Sequence, residues 1–348
     1  MRVYGRNTKP EPKRIQLTLP KPWENWGFKM KNAAYHHQPV LLKEVIDFLK
    51  PDKDKFYIDC TLGGGGHAVE LAKRVKPKGK ILGIDLDDAA IEAARIKAVK
   101  EGAAENLKIV KGNYRNLKYI AEQNGFASAD GILLDLGISS GQLQDTGRGF
   151  SFLAEGKLDM RFDQNDKDRM TAYQMLNKLP EKELAFIFRQ FGEEPLASEI
   201  AGKIIRERKT NPVYYPRQLV GIISRIYARR YKNKSKTNPA TKIFQALRIA
   251  VNSEFENLAQ ALPQAVSLLD KNARLAVISY HSLEDRTVKS FFNQESRACI
   301  CPLQRPTCTC QHLKKIRILT KKPVIASAEE ITENIRSRSA KLRVAQKI

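Results

Sequence analysis

No apolar run in this chain approaches the roughly 20 residues that a membrane-spanning helix needs, so a membrane protein is not expected. The first residues also lack the apolar stretch that directs export, which points to a cytoplasmic protein. Internal repeats are absent, so the fold has to be read element by element. Cysteines are few: Cys60 stands alone, and Cys299, Cys301, Cys308 and Cys310 form C-x-C-x6-C-x-C. Without an export signal a disulfide framework is disfavoured. Four thiolates could bind zinc, but the C-x-C pairs are tighter than the usual C-x2-C knuckle. Reduced structural thiols are the favoured reading, and no metal ligand is assigned.

Acidic side chains are scarce as well. Against 61 Lys and Arg stand 38 Asp and Glu, a formal net charge of +23 over 348 residues. Such an excess favours a polyanionic partner, because each neutralised phosphate releases counterions. The excess is also clustered. Residues 201–236 hold eleven Lys and Arg and a single acid, Glu207, and residues 1–32 hold eight basic against two acidic side chains. Basic segments on an otherwise mixed chain read as a nucleic-acid footprint.

Short apolar strands alternate with helical patterns through the first half. The strands are FYID (56–59), KILGID (80–85), NLKIVKG (106–112) and DGILLDLG (130–137); the helices fall near 40–49, 67–75, 88–100 and 115–123. This alternation predicts a parallel sheet covered on both faces. Around Gly147 the rhythm changes, and 171–230 reads as helices alone. Leu196, Ile200, Ile204 and Ile205 share one helical face, as do Leu219, Ile222, Ile223 and Ile226. A further helical stretch covers 240–269. Strand patterns return at 273–280, 316–320 and 341–345, with a helix at 284–293. The expected organisation is a basic arm (1–32), an α/β domain (33–146 and 250–348) and a helical insertion (147–249). An exposed face of that insertion would serve as a dimer interface, giving a homodimer, or as an RNA surface.

The stretch DCTLGGGGHAVEL (59–71) places four glycines between the first strand and a helix. That is the ligand crevice of a doubly wound sheet. Gly63 and Gly65 fit the dinucleotide fingerprint, with Ala68 at its last position, which decides little between cofactors. Asp85 ends the second strand, where an acid accepts hydrogen bonds from a ribose; both NAD and S-adenosylmethionine carry one. Asp87 reads as a cap of the next helix. Asp59 and Asp135 end strands one and four. A pair of acids there suits a sulfonium better than a pyrophosphate, which prefers a helix N-terminus. An NAD oxidoreductase, a methyltransferase for small molecules or proteins, and a non-catalytic assembly factor with a relic pocket are the competing classes.

Seven blocks carry a resemblance: YHHQPVLLKEV (35–45), DCTLGGGGH (59–67), DGILLDLGISSGQLQD (130–145), RGFSF (148–152), LDMRFD (158–163), FQALRIAVNSE (244–254) and ISYHSLEDR (278–286). Together, and in this order, the chain resembles the small-subunit ribosomal RNA methyltransferase H family from about residue 35 to its end. The resemblance implies a class I methyltransferase-like, Rossmann-like α/β sheet with a helical insertion. It implies transfer of a methyl group from S-adenosylmethionine to N4 of a cytidine in the decoding region of 16S rRNA, on naked rRNA or the assembled small subunit. The cofactor contacts it implies are Gly65, Gly66, His67, Asp85, Tyr114, Asp135 and Gln142. Asp135, at the end of strand four, is also the candidate catalytic acceptor for the amine. Asn252, His281 and Ser282 lie in family blocks and are left without a role.

Overall fold

A computed structural model describes residues 39–231, 238–302 and 307–348; the basic arm expected over 1–32 lies outside them. Its strands are β1 Phe56–Asp59, β2 Lys80–Asp85, β3 Leu107–Lys111, β4 Ala129–Asp135, β5 Leu269–Ser279, β6 Ile316–Ile318 and β7 Lys341–Lys347. They form one sheet in the order β3-β2-β1-β4-β5-β7-β6. Strands β1 to β5 run parallel, whereas β7 is antiparallel to both β5 and β6.

Both faces of the sheet are apolar, as parallel strands demand. Ile58, Leu82, Ile84, Ile132, Leu134 and Val277 face one layer, with Leu117, Leu258, Leu262 and Phe292. Their strand neighbours Tyr57, Ile81, Leu133 and Ile278 face the other, with Val69, Leu71 and Ala94. The chain builds outward from β1 to β3 and then crosses to β4 on the other side of β1. The carboxyl ends of β1 and β4 therefore flank the switch point at which an open α/β sheet binds its ligand.

The segment between β4 and β5 carries the helices Ala172–Lys178, Glu181–Gly192, Ala197–Glu207, Pro216–Tyr231 and Thr241–Asn252. They enclose their own cluster, which includes Phe188, Ile200, Ile204, Leu219, Ile222, Ile223, Ile226 and Leu247. Both expected stripes are in it, with Leu196 and Ile205 packed at its rim. The helical stretch expected over 240–269 is two helices. Ser253, at φ 51°, ends Thr241–Asn252 and opens Glu254–Leu268. This left-handed joint changes the layer served: Val251 belongs to the helical cluster, whereas Leu258 and Leu262 cover the sheet.

Candidate functional site

The glycine loop leaves β1 at Asp59 and opens the helix Gly66–Arg74. Gly65 sits at φ +79°, where a Cβ would also come within 3.0 Å of Ala94 Cβ. Handedness and crowding both require glycine there. A Cβ on Gly66 would stand 2.5 Å from Pro39 Cγ. A Cβ on Gly64 would meet no atom within 4 Å, so the loop backbone is open at that point.

Asp85 ties this loop to β2. Its carboxylate accepts the Gly63 N–H at 2.8 Å and the Asp87 N–H at 2.9 Å. These two bonds leave lone pairs on each oxygen for a ligand hydroxyl. Burial raises its pKa, and the backbone donors of Asp87, Gly63 and Leu86 oppose that rise.

Asp59 and Asp135 flank the crevice as expected. Asp59 is buried and accepts the Thr61 N–H at 3.1 Å. Burial pushes its carboxyl up to about 7. Asp135 is likewise pushed up to about 7, by burial first and then by the charges of Asp59 and Glu284, with Tyr280 pulling it down. Among the described residues neither Asp59 nor Asp85 has an ion-pair partner. The His67 ring stands beside Asp135, with Nδ1 at 3.7 Å from Oδ2. His67 is buried and its Nε2 donates to Val40 O at 3.0 Å, which fixes the ring beside the loop.

Two hydrogen bonds hold Asp135, one on its side chain and one on its backbone. The Tyr280 hydroxyl donates to Asp135 Oδ1 at 2.8 Å, and the Asp135 N–H donates to Thr61 Oγ1 at 2.6 Å. Gly137, at φ +101°, makes room for the Tyr280 ring, which would lie 3.2 Å from a Cβ. Behind Tyr280 a polar network continues. Its N–H donates to Glu284 Oε2 at 2.8 Å, and Glu284 Oε1 lies 3.1 Å from His281 Nε2. Arg248 joins Glu254 through two bonds of 2.8 and 3.0 Å. Tyr114, at the carboxyl end of β3, packs half-buried against the sheet layer of Ile58 and Leu134. Burial, and then the charges of Glu254 and Glu284, raise its hydroxyl well above the usual phenol range.

Gln142 and Asp87 meet where the helical segment leaves the sheet. Gln142 closes a capping box with Ser139, and its Nε2 donates to Asp87 Oδ2 at 2.9 Å. Arg148 Nη1 donates to the same oxygen, while its Nη2 reaches the carbonyls of Arg161 and Phe162 at 2.9 and 2.8 Å. Asp87 does cap the helix Asp88–Lys100, accepting the Ala89 N–H at 3.1 Å. It is also the buried anchor of the insertion, a role its sequence position did not suggest. Tyr280 and Arg148 were missed too; both lie inside the quoted blocks ISYHSLEDR and RGFSF, and that was their only signal.

Asn252 and Ser282 are accounted for by structure. Asn252 Oδ1 accepts the Phe162 N–H at 2.8 Å and its Nδ2 donates to Met160 O at 2.8 Å, fastening LDMRFD to the end of a helix. The Ser282 hydroxyl donates to Glu193 at 2.8 Å.

The sequence pattern of the MraW methylase family matches residues 34–348. The chain belongs to the MraW methylase family. A relative from Thermomicrobium roseum, named ribosomal RNA small subunit methyltransferase H, is 48% identical over 312 residues, covering 90% of this chain and 94% of its own. Proteins of the same name from Heliobacterium modesticaldum and Heliobacterium mobile are 43% and 44% identical, each covering 90% of this chain and 99% of its own length. A methylase of this family takes its methyl group from S-adenosylmethionine, and the crevice suits that molecule. The loop is open at Gly64, and beside it the carboxylates of Asp59, Asp85 and Asp135 have no Lys or Arg ion-pair partner among the described residues.

Proposed function

We propose that this MraW family member methylates N4 of a cytidine in the decoding region of 16S rRNA. The observation that carries the reading is Asp135, a crevice carboxylate oriented by Tyr280 and raised to about 7. Gly65, Gly66, His67, Asp85, Tyr114, Asp135 and Gln142 are the residues that would hold the cofactor. Gln142 would act there largely through the turn it closes, since both ends of its amide are already engaged. S-adenosylmethionine supplies an electrophilic methyl group on a sulfonium.

Cytosine N4 is a weak nucleophile because its lone pair is delocalised into the ring. The Asp135 carboxylate accepts a hydrogen bond from the amine, which favours a more tetrahedral nitrogen and holds it in line with the methyl carbon. As the new C–N bond forms, the nitrogen sheds a proton, and Asp135 is the nearby acceptor with a suitable pKa. The base must leave its stack to reach this depth, and the helical insertion supplies the surface that grips the displaced strand.

That grip is less simple than the sequence count suggested. Glu207 pairs with Lys203 and Arg225, and Glu199, just outside the counted window, pairs with Arg229 and Arg230. Arg208 is structural, donating to Leu176 O and Leu179 O. Lys232, Lys234 and Lys236 lie outside the described residues. Exposed pairs of this kind contribute little to stability, so phosphates can replace the glutamates at small cost.

The test is nucleoside mass spectrometry of 16S rRNA, both naked and in small subunits, after incubation with the protein and S-adenosylmethionine. N4-methylcytidine should appear in at least one form and in neither free nucleotides nor protein substrates. Asp135→Asn should lower turnover by about 10²- to 10⁴-fold. No mark on either rRNA form would overturn the assignment.

A further inference from the structure

The C-x-C-x6-C-x-C segment takes no part in the crevice. It lies in the connection from the helix Ser282–Glu295 to β6. The register pairs Ile316 with Lys347 and Arg274 with Gln346, so residue 315 lies at the end of the sheet where β5 begins. Asp135 and Tyr280 are at the opposite end.

The segment is pinned where it returns to the sheet. Lys315 N–H donates to Glu295 O at 2.9 Å, and its ammonium pairs with the Glu295 carboxylate at 2.8 Å. His312 Nε2 donates to Gln294 O at 3.1 Å. Between these anchors the exposed and half-exposed cysteines converge, with all four Sγ atoms within 4.8 Å of one another. Cys308 and Cys310 sulfurs are 3.6 Å apart, and those of Cys299 and Cys310 are 3.8 Å apart. Four thiolates about 2.3 Å from a tetrahedral zinc stand about 3.8 Å from each other, whereas a disulfide needs about 2.0 Å. Backbone donors also aim at sulfur: Ile300 N–H at Cys310, Cys301 N–H at Cys299 and Thr309 N–H at Cys301, over 3.5, 3.4 and 3.4 Å. Donors so placed favour thiolate, the form that binds metal.

We propose that Cys299, Cys301, Cys308 and Cys310 form a closed four-thiolate zinc site that clamps this connection. The tight C-x-C spacing is no obstacle, because each C-x-C pair contributes two sulfurs to one cluster. With every coordination position filled by protein, the ion is structural and has no place for a substrate. Soft thiolate ligands select zinc over magnesium or calcium. Each thiol surrenders its proton on binding, so four thiolates and one dication leave the site at minus two.

The untagged full-length chain, purified under reducing conditions without chelator, should carry about one zinc per chain by elemental mass spectrometry. The double variant Cys308→Ser, Cys310→Ser should retain less than about a tenth of that. Cobalt exchanged into the wild-type chain should show sulfur-to-cobalt charge transfer and the visible bands of tetrahedral cobalt, a readout that does not depend on the variant's folding. S-adenosylmethionine affinity measured on a folded variant reports separately on the methyl-transfer reading. Less than about a tenth of a zinc in wild type, iron in its place, zinc content unchanged by the double variant, or recovery of the cysteines as disulfide-linked peptides would each overturn the site.

Discussion

Raising the pH from about 6 to about 8 should tighten S-adenosylmethionine binding about tenfold relative to binding of S-adenosylhomocysteine, the product with an uncharged sulfur. The two ligands share adenosine, amine and carboxylate, so their affinity ratio isolates the sulfonium charge. Asp59 and Asp135 both titrate at about 7 because burial disfavours their ionised forms. A group of that pKa is roughly nine-tenths neutral at pH 6 and roughly nine-tenths ionised at pH 8. If a cation needs one of them ionised, its apparent affinity changes about tenfold over this interval, or about 1.4 kcal/mol. If it needed both independently, the ceiling would be about a hundredfold. The two carboxyls repel each other, so the smaller figure is the expectation. The sign also constrains the apoprotein. Both folded-state values lie above the unfolded value of about 3.9, so the stabilising contribution is fully present below that pH and is lost as pH rises through about 7. The free protein should therefore lose stability between pH 6 and 8, and the cofactor should restore more of it than the product does. Calorimetric titration of both ligands at three pH values, in buffers of different ionisation enthalpy, measures affinity and proton release together. A ratio constant within about twofold across the range would refute the placement of a positive charge against these acids.

Two further outcomes follow from the same geometry. Asp87→Ala removes the carboxylate from a buried arginine, Arg148, and releases Gln142; it should cost about 3–5 kcal/mol in chemical denaturation, and a loss below about 1 kcal/mol would contradict the anchoring role. Tyr280→Phe removes the donor that holds the Asp135 pKa down, so the acidic limb of the pH–rate profile should move upward by as much as about one pH unit, and a downward move or none would show that Tyr280 does not govern Asp135.

Much of the sheet was readable because parallel strands advertise themselves. FYID and KILGID coincide with β1 and β2, and the helix Asp88–Lys100 has the bounds expected from its run of good helix formers. The ends of the same apolar runs placed Asp59, Asp85 and Asp135 as the last residues of β1, β2 and β4, at the carboxyl edge of the sheet. The break at Ser253 was not readable. Apolar residues continue at helical spacing on both sides of it, and nothing in their period records that the first helix serves one core and the second another.

Asp87 shows where local reasoning stops more sharply. One residue before a helix, an aspartate satisfies the N-cap rule completely, and the rule is right: its Oδ1 accepts Ala89 N–H. A carboxylate has a second oxygen, however, and this one is buried 55 and 61 residues in sequence from the Gln142 and Arg148 that bond it. Such partners are chosen by the crossing of the chain from β4 into the helical segment, which no window around Asp87 contains. The consequence is mechanical. Asp85 and Asp87 are joined by a 2.9 Å bond from the Asp87 N–H to the Asp85 carboxylate, so the end of β2 and the buried pair that fastens the helical segment share one short piece of backbone. Arg148 is thus connected to Asp85 through two hydrogen bonds and two residues of chain, and the glycine loop, held by Asp85 at Gly63, is the next link.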